Sequence, residues 1–423
     1  MRKSFLVPHP PLIVPGVGKG DEIPDTRNAY RHIAEEVKRE KPETVIIISP
    51  HSVCYMDYFH ISPGISASGD FGMFRAPQIK FSVEYDEELA ALIGRTAEND
   101  GISAGSLGER DPELDHGVMV PLYFLQARRI VRIGLSGVSL SDHYRFGMSV
   151  RTAVEKLRPS AILVASGDMS HKLKAEGPYG FAKEGPEHDA FTRNCMETAD
   201  FRRLLSIDNA VRERAAECGF RSLAILAGYM DGSQTQSHVL SYEGPFGVGY
   251  LTVEFSGEGE APSLLPTILA DRDARLASRR STKNPYIRLA VDNIERFVKT
   301  GETISPPLDL PKEMLKNRAG VFVSIKKEGV LRGCIGTISP IQKNIAQEII
   351  KNSVSAASRD PRFSPIKEEE LPLLSYSVDI LFPSEIIYGP DELDVKRYGL
   401  IVSCGNRRGL LLPNLDGVDS VMF

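Results

Sequence analysis

Thr44-Val45-Ile46-Ile47-Ile48 is a nearly uninterrupted run of β-branched residues, and it decides how the first part of the chain folds. A strand with apolar side chains on both faces is buried on both sides, as in a sheet covered by helices. Similar runs occupy 131–135 and 161–165, and segments with helical apolar spacing lie between them, as at 30–37. The alternation predicts an α/β domain with helices on both faces of a mixed, largely parallel sheet.

The bulk composition is that of an ordinary globular protein, with 42% hydrophobic and 25% charged residues. Its 423 residues are too many for one core, so we expect two domains. A net charge of -5 gives no electrostatic footprint for nucleic acid or an anionic membrane. Because no apolar run approaches ~18 residues and the cysteines form no CxxC pair, we expect a cytoplasmic protein in a reducing compartment.

A change in composition near residue 256 predicts the domain boundary. We interpret 256–283 as a linker, because its first part lacks apolar periodicity and its remainder is charged. The first domain then covers 1–255. Asn284 followed by Pro285 is typical of a helix start. Mixed helix and strand patterns follow, and they predict a smaller α+β domain at 284–423.

Titratable residues follow several of the predicted strands. In open α/β sheets, ligands collect beyond the carboxyl ends of strands, so such residues are candidates for one shared site. A single loop histidine is as consistent with a structural role, but several in this arrangement favour a metal site. We expect His32, His143 and His188, which lie in polar stretches, to be solvated. The candidates are His9, His51, His116, Asp168, His171 and Glu243.

Two imidazoles and one carboxylate on one side of a metal leave coordination positions open on the other. This arrangement suits non-haem Fe(II). A catecholate can fill two of the open positions and dioxygen the third. A nearby histidine can take a phenolic proton and return it later.

The order of these motifs resembles the class III extradiol ring-cleavage dioxygenases over roughly the first 255 residues. The motifs are Pro8-His9-Pro10-Pro11, His51, His116, Gly167-Asp168-Met169-Ser170-His171 and Glu243. The stretches 66–72 and 241–250 are similar to the related Memo branch, which is associated with metal binding and redox signalling.

The resemblance implies a role for each candidate. His9, His51 and Glu243 would bind Fe(II) or another divalent metal. His171 would be the catalytic acid and base, and His116 a second catalytic histidine near the substrate. Asp168 would orient a histidine from outside the ligand set, or cap the segment that follows it.

Leu331-Arg332-Gly333-Cys334-Ile335-Gly336 is the sharpest short motif of the second domain. With Asn284-Pro285-Tyr286 and Arg359-Asp360-Pro361-Arg362-Phe363, it resembles the signature of the AMMECR domain. Cys334 is either a thiolate activated by Arg332 or a small strand residue. We favour the structural role, because no histidine follows His238. The three arginines either form an anion pocket or satisfy internal carboxylates such as Asp360 and Asp379.

Three functions fit these features. The first is an Fe(II)-dependent dioxygenase-like enzyme acting on a catechol or a similar small aromatic substrate. The second is a metal-binding module in a protein-modification or redox system, and the third is a noncatalytic scaffold that binds peptides. The combination of domains resembles the AmmeMemoRadiSam arrangement, which implies a separately encoded radical SAM partner.

The end of the chain gives a further expectation. The AMMECR pattern normally continues past 411–415 into another helix and strand, whereas this chain stops at Phe423. We therefore expect a truncated second domain that is less stable than the first, with local opening around 400–423.

Overall fold

A computed structural model describes residues 2–19, 21–280, 282–405, 407–411 and 413. The chain divides into two compact units, 1–268 and 269–423. Residues 414–423, which carry much of the expectation of a truncated second domain, lie outside the described residues. In the part of the chain that is described, no helix is long and apolar enough to cross a membrane.

The first unit is built on a large sheet. Its described strands are β1 Arg2–Val7, β2 Val45–Ser49, β3 Phe59–His60, β4 Ser66–Phe71, β5 Ala76–Tyr85, β6 Ala104–Gly105, β7 Arg129–Gly134, β8 Ile162–Ser166, β9 Gln234–Glu243 and β10 Tyr250–Glu258. Eight of them form one sheet in the order β4-β5-β7-β2-β8-β1-β10-β9. The five strands from β5 to β1 are mutually parallel, and β4 and β10 are antiparallel to their neighbours. The predicted mixed, largely parallel sheet is confirmed.

Helices connect these strands. They are α1 Pro24–Glu40, α2 Glu87–Asn99, α3 His116–Leu125, α4 Leu140–Leu157, α5 Glu184–Met196, α6 Phe201–Leu204, α7 Asn209–Ala215 and α8 Phe220–Tyr229. A further helix, α9 Leu265–Arg280, lies within the stretch interpreted as a linker.

The β2 strand shows why its sequence is apolar throughout. Val45 and Ile47 pack into a core on one face of the sheet, with apolar residues of α1 and α3. Ile46 and Ile48 pack into a second core on the other face, with residues of α2, α4 and α8. All four side chains are buried. The sheet is therefore covered on both faces, which confirms the interpretation of the strand sequence.

The second unit is a smaller α+β structure. Its remaining described elements are α10 Pro285–Thr300, α11 Lys312–Lys316, β11 Gly320–Lys327, β12 Val330–Thr337, α12 Ile345–Ser358, β13 Leu374–Leu381, β14 Leu400–Cys404 and β15 Arg407–Leu411. An antiparallel sheet in the order β12-β11-β13 packs against α12, which also contacts α10. Asn284 Oδ1 accepts from the backbone N–H of Tyr286 at 2.9 Å, so α10 begins as predicted.

Candidate metal centre

Three adjacent parallel strands end at the same edge of the sheet and deliver the first set of candidates. His9 lies two residues after β1, His51 two residues after β2, and Asp168 two residues after β8. In the sheet, β8 lies between β2 and β1. Because neighbouring strands are about 4.8 Å apart, residues just beyond these three ends come within reach of one another.

The surroundings of His9 fix which of its ring nitrogens is free. Ser166 Oγ donates to the carbonyl of Gly117 at 2.6 Å, so it accepts from His9 Nδ1, which lies 2.9 Å away. The lone pair of the neutral His9 ring is therefore on Nε2. A histidine that donates through one nitrogen and presents the other is the usual arrangement of a metal ligand.

Three histidines converge around this nitrogen. His9 Nε2 lies 3.1 Å from His51 Nε2. A ring nitrogen of His116, the first residue of α3, completes a group whose ligand atoms all lie within 4.8 Å of one another. Two imidazole nitrogens bound to one ion at about 2.0–2.1 Å lie about 2.8–3.4 Å apart at right or tetrahedral angles. The spacing of His9 and His51 fits two ligands of one metal ion.

Electrostatics favour neutral rings at His9 and His116. Burial, together with the neighbouring His51, lowers the pKa of His9 to about 3. Burial also lowers the pKa of His116 to about 3, with contributions from His9 and His51. At neutral pH these rings hold no extra proton, which is the form that binds metals.

A second group shares His9 and includes a residue that we did not predict. Cys218 Sγ lies 3.6 Å from His9 Nε2, and an Asp168 oxygen lies 3.9 Å from the same nitrogen. The three ligand atoms of this group also lie within 4.8 Å of one another. Asp168 also accepts from the backbone N–H of His9 at 2.9 Å, so it orients His9 as well as facing the site.

Burial disfavours the anions of Asp168 and Cys218 in this second group. Burial raises the pKa of Asp168 to about 6, although the hydrogen bond from the His9 backbone opposes the change. Burial also raises the pKa of the Cys218 thiol well above its ordinary value, and the nearby Asp168 carboxylate adds to the effect. A bound cation would reverse this preference, because it stabilises both anions.

Cys218 reaches His9 because two glycines let their loops touch. A Cβ on Gly167 would overlap Gly219, and the Gly219 N–H donates to Asp168 O at 2.9 Å. The two loops therefore meet backbone to backbone.

We expect Gly167→Ala to separate these loops. Overpacking of this kind costs about 1–3 kcal/mol of unfolding free energy, and it should move Cys218 away from His9. Urea unfolding and metal content measure the two effects. Gly409→Ala is the control, because an added Cβ there meets nothing within 4 Å. An unchanged unfolding curve for Gly167→Ala would show that the loops tolerate separation.

A buried arginine fixes the other two histidines. Arg132 on β7 is 1% exposed and donates to an Asp115 oxygen at 2.9 Å and to Ser52 Oγ at 2.8 Å. Asp115 is the N-cap of α3, directly before His116, and it also accepts from Ser49 at 2.6 Å. One carboxylate thus joins the start of α3 to the loop that carries His51. Burial raises the pKa of Asp115, but Arg132 and the serine hydrogen bonds lower it more, so the carboxylate stays ionised.

The structure does not bring Glu243 into either group. Glu243 ends β9, two strands beyond β1, which corresponds to about 9–10 Å. Its Oε1 accepts from the backbone N–H of Thr26 at 2.6 Å and from Thr26 Oγ1 at 2.8 Å. Glu243 therefore satisfies a free N–H in the first turn of α1. Among the described residues, His116 rather than Glu243 groups with His9 and His51, and the ligand set of His9, His51 and Glu243 stays a prediction.

His171 lies beside the site without joining either group of ligand atoms. Its ring stacks on Tyr179 with centroids 5.1 Å apart. Its Nε2 is buried and has no hydrogen-bond partner among the residues that the structure describes. Burial lowers the pKa of His171, while Asp168 and Glu217 oppose this change.

Two histidines that we expected to be solvated are buried. His143 is fully buried in α4, where its Nδ1 pairs with Ser139 O at 2.8 Å. His188 is fully buried in α5 and pairs with Asp189 at 2.9 Å. The polar neighbours in sequence were misleading, because neighbours such as Ser141 and Asp189 are themselves buried. His32, in contrast, has a side chain that is 45% exposed, and it pairs with Glu254.

In the second unit, the motif arginines are occupied by internal carboxylates. Arg332 binds Glu370 through two hydrogen bonds of 2.9 Å. Arg362 binds both oxygens of Asp360, at 2.9 and 2.7 Å, and these bonds lower the pKa of Asp360 to about 2. The interpretation of these two arginines as parts of an internal network is therefore the one that fits, with Glu370 rather than Asp379 as the second carboxylate.

The remaining motif residues are Cys334 and Arg359. Cys334 lies on β12, where its backbone N–H donates to Asp360 at 2.9 Å and its Sγ accepts from Ser324 Oγ at 3.1 Å. Arg359 is exposed. This environment supports a structural role for Cys334.

Comparisons with known proteins agree with the two-unit organisation. The family described as the catalytic LigB subunit of aromatic ring-opening dioxygenase matches residues 3–253, and the AMMECR1 family matches 287–421. Protein CA_C1420 of Clostridium acetobutylicum is 39% identical over 99% of this chain and 92% of its own length.

Other relatives match about a third of the chain. A protein of Thermotoga maritima is 48% identical over 33% of this chain and 80% of its own length. The crystal structure of the uncharacterized protein PH0010 from Pyrococcus horikoshii is 39% identical, with a TM-score of 0.30, and the match covers 32% of this chain and 72% of that one.

Proposed function

We propose that this chain, which belongs to the family of the catalytic LigB subunit of aromatic ring-opening dioxygenase, holds one divalent metal ion and acts with it on a small aromatic substrate. The observation that carries the proposal is the convergence of His9, His51 and His116, from three separate parts of the chain, around one point. His9 is central because it belongs to both groups of ligand atoms.

The donor set fits a transition metal. Imidazole nitrogens suit iron, zinc and copper, whereas magnesium and calcium prefer oxygen ligands. His9, His51 and His116 would hold the ion, with Asp168 and Cys218 available on the same side as His9. Among these metals we propose Fe(II), which would supply the redox chemistry that lets dioxygen react with an aromatic diol.

The protein would contribute a proton-transfer group to this reaction. We assign it to His171, because its buried Nε2 has no partner among the described residues and is therefore free to accept a phenolic proton. Stacking against Tyr179 would hold the ring in position during the transfer.

The test is metal analysis of the full-length protein after anaerobic purification, followed by a ring-cleavage assay across catechols with Fe(II) supplied. Bound iron with turnover supports the proposal. Tightly bound metal without turnover favours the alternative of a metal-binding module, to which the Cys218 thiol near His9 also points. If the protein binds no metal under any condition, the dioxygenase and the metal-binding module are both contradicted, and the noncatalytic peptide-binding scaffold is the remaining function. The radical SAM partner stays a prediction, which co-purification tests.

We expect His171→Ala to keep the metal but to lower kcat by roughly 10²–10⁴, the usual contribution of a positioned acid or base. Metal content and kcat are measured on the same preparation. His238→Ala, which changes an exposed histidine on β9, is the matched control and should leave both unchanged. Loss of the metal from His171→Ala would make His171 a ligand and would overturn its assignment as acid and base.

A further inference from the structure

Asp189 on α5 is a buried carboxylate that belongs to neither group of ligand atoms. Its side chain is 1% exposed, and its two oxygens contact different parts of the chain. Oδ1 accepts from the backbone N–H of Ser170 at 2.8 Å and lies 2.9 Å from His188 Nδ1. Oδ2 accepts from the hydroxyl of Tyr242 on β9 at 2.8 Å. A carboxylate removed from water needs such donors, and together they fix its position.

Ser170 lies in the loop that joins Asp168 to His171, the proposed proton-transfer group. Every backbone N–H from 168 to 172 donates to an acceptor that the structure describes. In chain order the acceptors are Cys218 Sγ, Gly249 O, Asp189 Oδ1, Ala215 O and Ser170 Oγ. Asp189 is the one carboxylate among these acceptors, and hydrogen bonds to a carboxylate are stronger than those to neutral groups. The strongest of these restraints on the loop therefore comes from α5.

Gly249 holds the loop from the other side. Its N–H donates to Ser170 O at 2.8 Å, and its carbonyl accepts from the N–H of Met169 at 2.8 Å. A Cβ on Gly249 would lie 2.0 Å from Asp189 Oδ2, so this close approach requires a glycine. The loop is thus held between the backbone of Gly249 and the carboxylate of Asp189.

The charge of Asp189 has a smaller effect on His171 than its hydrogen bond to the loop. Burial lowers the pKa of His171, and Asp168 is the charge that opposes this most. Asp189 opposes it less than Asp168 does. The main influence of Asp189 on His171 therefore passes through the backbone of Ser170.

We propose that Asp189 is the positioning residue for proton transfer, because its bond to Ser170 fixes the backbone from which the His171 ring extends. This inference rests on the proposed function, since it takes His171 as the acid and base. Proton transfer requires a fixed distance between donor and acceptor, and a displacement of ~1 Å can lower the rate about 100-fold. Asp189 itself touches neither the substrate nor the transferred proton.

The experiment replaces Asp189 in the full-length protein. Asp189→Ala removes the acceptor of the Ser170 N–H, so we expect kcat on catechol with Fe(II) supplied to fall by about 100-fold. KM and metal content should not change. Amide hydrogen exchange of the segment 168–172, measured by mass spectrometry on the metal-free protein, should become faster. Asp189→Asn keeps an oxygen that can accept from Ser170 and should retain most of the kcat.

Asp231→Ala is the matched control. Asp231 is also buried, and it accepts from the hydroxyl of Tyr144 at 2.6 Å and from the backbone N–H of Leu264 at 2.8 Å. Its loss should lower the stability of the unit without changing kcat or the exchange at 168–172.

Tyr242→Phe provides a second route to the same bond if Asp189→Ala does not fold. It removes the donor to Asp189 Oδ2 alone, so the carboxylate is less firmly held. Exchange at 168–172 and kcat should change in the same direction as in Asp189→Ala, but by less.

Four results would overturn the proposal. The first is wild-type kcat or wild-type exchange at 168–172 in a folded Asp189→Ala protein, or in Tyr242→Phe if Asp189→Ala does not fold. The second is an equal fall of kcat in Asp231→Ala, because the effect would then be one of general stability. The third is an equal fall in Asp189→Asn, because the charge rather than the hydrogen bond would then matter. The fourth is loss of metal from Asp189→Ala, because the loop would then serve the metal ligands.

Failure of the proposed function gives a different result. If the wild-type protein cleaves no catechol, the proposed function is contradicted, and hydrogen exchange alone decides about Asp189. Faster exchange at 168–172 in Asp189→Ala but not in Asp231→Ala would keep Asp189 as the residue that positions His171. Unchanged exchange in both variants would refute this role as well.

Discussion

We expect His9→Ala to remove stable metal binding from the full-length protein. His9 is the one histidine common to both groups of ligand atoms, and its Nε2 lies 3.1 Å from His51 and 3.6 Å from Cys218. Removing this ring leaves two incomplete groups with no shared donor. Mutation of a residue that only hydrogen-bonds to a metal ligand lowers metal affinity by about 10–100-fold. Loss of His9 itself should lower the metal affinity by more than this. Metal content by elemental analysis and competition with a chelator measure the change.

Two comparisons make this result specific. His116→Ala should weaken the metal less than His9→Ala, because His9, Asp168 and Cys218 remain together. Glu243→Gln should leave the metal in place, because Glu243 serves the start of α1. Full metal occupancy in His9→Ala would refute the assignment of this centre, and loss of metal in Glu243→Gln would restore the ligand set that the sequence resemblance implied.

The fold was predictable because its decisive features are local. Val45 to Ile48 are apolar without interruption, and a strand of this kind has few stable environments other than a sheet covered on both faces. The N-cap Asn284 and the following proline likewise mark the start of α10 from adjacent residues alone. Where the pattern is less local it is less informative. Ile341 precedes Ile345 at helical spacing, but it lies exposed before α12, and its N–H donates to Glu348.

The candidate site was predictable to the extent that it follows strand order. His9, His51 and Asp168 lie two residues beyond the ends of three adjacent parallel strands, so their convergence depends on topology that the sequence implies. Glu243 also follows a strand, but β9 pairs with β10 at the edge of the sheet. The sequence does not show that β9 lies at the edge of the sheet. Glu243 on this strand is two strand spacings from β1, and it does not group with His9 and His51.

Cys218 was missed because it follows no strand. Its position depends on the contact between Gly167 and Gly219. The two loops joined by this contact also carry Asp168 and Cys218, which are 50 residues apart in the chain. The available signal in the sequence was Gly219, which lies directly after Cys218 and directly before α8. A Cys-Gly pair is common in proteins, and this one indicates a close contact between loops only once Gly167 is known to lie against Gly219.

The same limit applies to Arg132. It lies within the apolar run at 131–135, and nothing in that run shows whether the arginine side chain is buried or reaches solvent at the end of the strand. In the structure its guanidinium also donates to Asp111 at 3.0 Å, besides Asp115 and Ser52. The predicted positions of His51 and His116 therefore depend on a residue that sequence reasoning assigned to the core.

We expect Arg132→Met to lower both stability and metal affinity. The methionine fills much of the space of the arginine stem, but it leaves the buried Asp115 carboxylate without its cation. Removing one partner of a buried ion pair costs about 3–5 kcal/mol of unfolding free energy. Because Asp115 caps α3 and holds the loop of His51, metal affinity should also fall, by about 10–100-fold. Urea unfolding and chelator competition measure the two quantities.

Two further variants separate charge from packing. Arg129→Met changes an exposed arginine at the start of the same strand and should alter neither quantity. Adding Asp115→Asn to Arg132→Met removes the unpaired charge while an amide oxygen can still cap α3. The double variant should therefore recover part of the stability. It should not recover the metal affinity, because a neutral cap without Arg132 no longer ties His116 to the loop of His51. Recovery of both together would mean that Arg132 stabilises the unit as a whole and has no separate part in positioning the two histidines.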